Sequence, residues 1–262
     1  MNKDQILSAA ATLYRARREQ VPLSALPEDL RPAGPDDAYA IQDALVALDG
    51  AKVVGFKIGA TSEKAQSFLQ VSGPFSGQVM ASGLHDSPLA LPAPDGLFRL
   101  IEPEFALRLG RALPPRDQPY ALDDVAAAVK AVHPSVEIVT SAYGDAWTGA
   151  GAEHLIADNG VHNALVLGPG TEDWRDLDLA AHPVRLHLNG EVVSDGVGAN
   201  ALGGPLTALL WLANHQRARG RGLAAGQVVT TGVVTAFRYA EAGNHFVADY
   251  GDLGQVEVRF DA

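Results

Sequence analysis

The sequence predicts an α+β protein rich in β-strand, with a helical segment over residues 1–50 and a larger body over 51–262. Two observations lead there. Helical spacing of apolar residues dominates the first fifty positions, and from Lys52 onward short apolar runs recur between turns. A third is Asn189-Gly190 between two apolar runs, because that pair favours the turn of a tight hairpin.

In chain order, Ile6, Leu7, Ala10, Leu13 and Tyr14 predict a first helix that ends near Arg15–Arg18. A proline-rich loop follows from Val21 to Pro35. Asp36 and Asp37 suit the start of a second helix, which Gly50 would end, with Ala40, Ile41, Leu45 and Leu48 as its buried stripe. Strands are expected at 53–58, 98–109, 136–140, 164–167, 184–188, 191–194, 228–231 and 256–260. Helices are expected after Thr61-Ser62, at Asp123-Asp124, and from Gly204-Pro205 to Gly220. No fixed-period repeat is present.

Composition narrows the function. The chain carries a net charge of −11 and no cysteine. Apart from Arg15, Arg17 and Arg18 at the end of the first helix, the basic residues group only at Arg217, Arg219 and Arg221, so nucleic acid is not the expected partner. Disulfides, thiolate metal sites and thiol nucleophiles are excluded. The chain has no long apolar run and no signal-like N-terminus, which predicts a cytoplasmic protein away from membranes. A sugar-binding β-sandwich would need clustered surface aromatics, and Trp147, Trp174 and Trp211 are far apart in sequence.

The chemistry concentrates in Ile101-Glu102-Pro103-Glu104-Phe105. Residues two apart on a strand share a face, so the two carboxylates would project together among apolar neighbours. Two acids in a poorly solvated place repel unless a cation intervenes, and a hard divalent ion prefers oxygen ligands. Glu137, in Val136-Glu137-Ile138-Val139, is a third acid where a core residue would be expected. The competing reading places these acids on the wet face of half-exposed strands. Lys57, between Gly55 and Gly59, is either a buried acid/base group or a lysine snorkelling from an edge strand, and the glycines would let substrate approach the backbone.

With these residues the sequence resembles the 2-keto-4-pentenoate hydratase family, which includes 2-oxohept-3-enedioate hydratases and 4-oxalocrotonate decarboxylases within the fumarylacetoacetate hydrolase-like superfamily. The matching motifs are residues 55–62, Ile101–Ala106, Glu137–Val139, Ala157-Asp158-Asn159 and Leu206–Asn214. The resemblance implies a layered β-sheet fold and Mg²⁺ or Mn²⁺ on Glu102, Glu104 and Glu137. It implies Lys57 as general acid/base and a small 2-oxo or 2-hydroxydienoic acid as substrate. Asp158 is implied as a second proton-transfer group, and Asn159, Gly232 and Thr235 as substrate contacts. Gly160-Val161-His162 departs from the family's small polar residues after Asp-Asn, and His162 is the alternative proton-transfer group unless it is simply a packed histidine. The resemblance also implies a homo-oligomer. Ala81 stands where relatives would carry an aspartate, which favours a binding protein without turnover as the alternative to an enzyme. Hydration, decarboxylation and C–C hydrolysis would all use the same enolate stabilisation.

Overall fold

Asn2 and Gln5 cap the first helix reciprocally, each side chain accepting from the other's backbone N–H. The computed structural model describes residues 1–262. Helix α1 (Lys3–Glu19) buries Ala9, Ala10, Leu13 and Ala16, whereas Leu7 is exposed. Helix α2 (Pro35–Asp49) starts on proline and ends at Gly50, whose φ of 74° is easiest for glycine. Its buried face is Ala38, Tyr39, Ile41, Gln42, Leu45 and Val46, so the expected stripe is rotated and Leu48 is exposed. Polar anchors explain the rotation: Gln42 Nε2 donates to the carbonyls of Ser76 and Ile156, each at 2.9 Å, and Ser76 N–H donates to the Tyr39 hydroxyl.

The body contains β1 (Val53–Gly59), α3 (Glu63–Leu69), β2 (Phe75–Met80), β3 (Leu84–Asp86), β4 (Leu89–Leu91) and β5 (Leu100–Leu109). It continues with α4 (Leu122–Ala128), β6 (Val129–Val139), α5 (Ala152–Ala157), β7 (His162–Leu167), β8 (Pro183–Leu188) and β9 (Glu191–Val197). The last elements are α6 (Pro205–Ala218), β10 (Val228–Thr230), β11 (Arg238–Tyr239), β12 (His245–Asp249) and β13 (Gln255–Phe260). The expected hairpin joins β8 to β9, with Asn189 and Gly190 both at positive φ. Strand β6 begins seven residues before its expected start and runs through Pro134. Pairing with β7 begins only at Ser135, so Pro134 owes that ladder no N–H.

Two sheets result. The larger has the order β2-β1-β10-β5-β6-β7-β3, with β11 added to β5; the smaller has the order β4-β13-β12-β8-β9. Ile101, Phe105, Leu107, Val136 and Ile138 from the larger sheet pack with Val184, Leu186, Phe246, Val256 and Val258 from the smaller. The opposite face of the larger sheet is covered by α1, α2 and α5. Their residues share a second core with Leu100 and Val139, so the N-terminal helices are built into the body. Tyr250, fully buried between the sheets, donates to the carbonyls of Glu104 and Ser135 and ties β5 to β6 from behind. No helix is long and apolar enough to cross a membrane.

Candidate metal and substrate site

Alternation along β5 places Ile101, Phe105 and Leu107 in the core between the sheets, and so turns Glu102 and Glu104 to the other face. The antiparallel register sets Glu137 of β6 directly opposite Glu102. On β1, Lys57 pairs with Thr230 of β10, which pairs in turn with Ala106 of β5. One face therefore carries three carboxylates and one ammonium. Oxygens of Glu102, Glu104 and Glu137 all lie within 4.8 Å of one another.

Like charges facing each other across a sheet are destabilising, so the remaining contacts of the cluster matter. Glu104 Oε2 accepts from the Thr230 hydroxyl and from Gly232 N–H at 2.7 Å, while Oε1 is buried without a partner. Glu137 Oε1 accepts from His162 Nδ1 at 2.8 Å. Its Oε2 faces Lys57 Nζ at 3.3 Å and makes no hydrogen bond. Burial, reinforced by the neighbouring carboxylates and only partly opposed by Lys57, pushes Glu102 and Glu104 up to about 8. Burial also raises Glu137. For Lys57, burial acts downward, but Glu137, Glu102 and Glu104 outweigh it and leave the ammonium raised.

These features fit a divalent cation. When all are ionised, three carboxylates and one ammonium leave two negative charges uncompensated, and two buried carboxylate oxygens accept no hydrogen bond. The donor set is all oxygen, as Mg²⁺ or Mn²⁺ prefers.

Lys57 and Glu102 open into a cavity of about 630 Å³, also lined by Thr61, Phe75, Val161, Thr235 and Arg238. Lys57 is 2 % exposed, which excludes the snorkelling alternative. Of the flanking glycines Gly59 lines the cavity and Gly55 does not, and both are also packed against the protein's own atoms. A Cβ on Gly55 would meet the Val228 carbonyl at 2.1 Å, and one on Gly59 the Phe75 ring at 2.6 Å. Gly55 thus admits only the protein's own neighbour, whereas Gly59 admits Phe75 and still borders the cavity.

The other expected site residues divide. Thr235 lines the cavity. Gly232, at φ 106°, holds Glu104 through its N–H, and a Cβ there would strike Thr61. His162 lies behind the cluster. Burial, then Lys57 and Arg17, holds its pKa well below the ordinary value, so the neutral ring donates from Nδ1 to Glu137. Asp158 is not among the cavity-lining residues. Its carboxylate accepts from Arg17 Nε at 2.6 Å, from the Ser141 hydroxyl at 2.8 Å and from Ala142 N–H at 2.8 Å. An acid so fully engaged is a clamp, which corrects the proton-transfer expectation. Asn159 likewise spends its side chain on the backbone N–H and carbonyl of Gln78. Together these two residues hold a turn in which Asn159, Gly160 and Val161 all have positive φ, at 54°, 60° and 59°. That conformation is strained for a β-branched residue such as Val161. The turn presents Val161 to the cavity and leads directly into His162.

Arg17 was missed at the sequence level. From α1 it also donates to the backbone carbonyls of His162, Thr140 and Asp158, at 2.7, 3.1 and 2.9 Å. Nothing local signals this role, because its partners lie more than a hundred residues away. Of Arg108, Arg238 and His245, none of which sequence alone assigns to solvent or to a distal carboxylate, only Arg238 lines the cavity. Ala81 is exposed and outside the cavity, so its lack of a carboxylate says little about the site.

The fumarylacetoacetate (FAA) hydrolase C-terminal family matches residues 60–261. The chain is 34% identical to 2-keto-4-pentenoate hydratase 2 of Dechloromonas aromatica over 256 residues, covering 97% of this chain and 96% of that one. It is 35% identical to 2-keto-4-pentenoate hydratase of Burkholderia vietnamiensis over 261 residues, 98% of each. Among solved structures, 4-oxalocrotonate decarboxylase from Pseudomonas putida G7, complexed with magnesium and adipate, superposes with a TM-score of 0.90. It is 28% identical and the match covers 99% of this chain and 98% of that one.

Proposed function

This chain belongs to the fumarylacetoacetate hydrolase family, and from that premise we propose that it is a metal-dependent hydro-lyase adding water to a 2-hydroxydienoic acid. The observation that carries the reading is the meeting of three glutamates and Lys57 in one cluster, from which Lys57 and Glu102 open into the cavity. Glu102, Glu104 and Glu137 would hold Mg²⁺ or Mn²⁺, which when bound supplies Lewis-acid stabilisation of charge developing on the substrate's C2 oxygen.

Lys57 moves the protons. Its ammonium delivers one to the far carbon of the dienol as the enol proton is lost, giving a 2-oxo-3-enoate. Water then adds at C4 and C3 takes up a proton, so substrate plus water equals product. His162 and Gly232 keep Glu137 and Glu104 in place, Asp158 and Asn159 hold the turn behind them, and Thr235 contacts substrate. The helical segment 1–50 supports a catalytic domain over 51–262, and we place the protein in the cytoplasm as a homo-oligomer. A cysteine-free composition supports the compartment and the family resemblance supports the assembly.

The fold match to a decarboxylase favours a second reading, loss of CO₂ from a 2-oxo diacid. Incubation with 2-hydroxypenta-2,4-dienoate and, separately, with 4-oxalocrotonate, both with Mg²⁺, distinguishes them. The proposal expects loss of the dienoate chromophore with formation of the 4-hydroxy-2-oxo acid. CO₂ release from the diacid, with the dienoate untouched, would overturn it.

A further inference from the structure

Away from the glutamates one stretch of the cavity wall is aromatic. Phe68 of α3, Trp147 and Phe237 line it together, from segments far apart in sequence. The rings of Phe68 and Trp147 meet edge to face at 6.1 Å, and those of Phe68 and Phe237 lie tilted at 5.9 Å. Phe98 packs behind Trp147 at 5.6 Å, and Trp147 Nε1 donates to the Tyr239 hydroxyl at 3.3 Å. Trp147 is thus fixed from two sides and nearly buried, whereas Phe68 remains 46% exposed at the mouth. A large ring left open on the rim of a cavity adds little to the core and much to an apolar ligand.

The cations near this wall are poorly disposed to receive a second carboxylate. Arg238 spends its guanidinium on the backbone carbonyls of Phe237 and Val193. Lys64 is exposed on α3 and keeps its ammonium in water. A distal carboxylate seated here would be stripped of water against three rings with no fixed partner. An apolar chain would instead gain roughly fourfold in affinity for each methylene buried.

We infer that the substrate bears an apolar substituent, alkyl or aryl, at the end remote from its 2-oxo carboxylate, seated among Phe68, Trp147 and Phe237, and that the site selects against diacids. The inference rests on the 2-oxo-acid reading above and extends it to the substrate's other end.

The test is calorimetric titration of the Mg²⁺-loaded protein with unreactive 2-oxobutanoate, 2-oxooctanoate and 2-oxoadipate. The octanoate is expected to bind at least about tenfold more tightly than the butanoate, and the adipate more weakly than either. Phe237→Ala and the rim variant Phe68→Ser should each reduce the octanoate-to-butanoate ratio about fivefold, with thermal melting as the check on folding. Lys64→Met should leave the adipate affinity where it was. Adipate binding as tightly as octanoate, no gain with chain length, or a loss of adipate binding in Lys64→Met would each overturn the inference. If all three acids bind with equal strength, only this inference falls. If none binds, the 2-oxo-acid reading falls with it.

Discussion

A single buried acid, Asp158, and a largely buried cluster of three, Glu102, Glu104 and Glu137, are treated in opposite ways. Asp158 meets a guanidinium, a hydroxyl and a backbone N–H, so its charge is fully answered by the protein. Glu104 and Glu137 each keep a buried oxygen without a hydrogen bond, and with Glu102 they outnumber the one ammonium beside them. Burial alone therefore does not mark a functional carboxylate. What separates clamp from site is whether the protein completes the partner set or leaves it for something else.

The comparison can be broken at either end, starting at the cavity. Lys57→Met should lower hydration by about 10³-fold, within the range of a lost acid/base group, while Mg²⁺ binds no more weakly. Turnover near the wild-type rate would remove Lys57 from the chemistry. At the clamp, the first effect should be on stability. Arg17→Met leaves Asp158 buried and unpaired, and should destabilise the fold by about 3 kcal/mol in denaturant unfolding. Arg17→Met combined with Asp158→Asn should recover part of that loss. A single variant as stable as wild type would mean that Asp158 is not a clamp.

A smaller effect follows from proton linkage. Unfolded glutamates release their protons near pH 4.5, but in the metal-free fold Glu102 and Glu104 keep theirs to about 8. Above pH 4.5 the unfolded chain binds fewer protons, so stability falls as pH rises towards 8. His162 acts oppositely: held neutral, it contributes stability that is lost as pH falls below 6.5, which sets the lower edge of the useful window. The metal-free melting temperature should thus drop by a few degrees from pH 6.5 to 8, and Mg²⁺ should restore more of it at pH 8. A flat profile would contradict the proton retention that burial and the neighbouring carboxylates impose on Glu102 and Glu104. The smallest effect is expected at Ala81. It is exposed and off the cavity, so Ala81→Asp should change stability by less than about 0.5 kcal/mol and leave turnover intact.

The sequence made local features legible. Glu102 and Glu104 share a face because strand periodicity is fixed at two, and the Asn189-Gly190 turn carries its own backbone preference. The partnership of Glu137 with Glu102 depends on the register between β5 and β6, a long-range property that pattern alone does not contain. Asp158 was implied as a proton-transfer group only by the family resemblance, and Arg17 arriving from α1 gives it the role of a clamp instead. The aromatic wall was hidden for the same reason. Trp147, Phe68 and Phe237 are isolated in sequence and meet only in the fold. The strands β2, β3, β4, β11 and β12 were not foreseen, the first because Gly77 and Gln78 interrupt its apolar pattern, and β3, β4 and β11 because two or three residues carry no period.

The central claim, that three carboxylates on one sheet face share a single divalent ion, is tested most directly by counting bound Mn²⁺ by equilibrium dialysis, in the intact protein and in Glu104→Gln. One saturable ion per chain is predicted, at least about a hundredfold weaker in the variant. No saturable binding, or equal binding by both proteins, would contradict it.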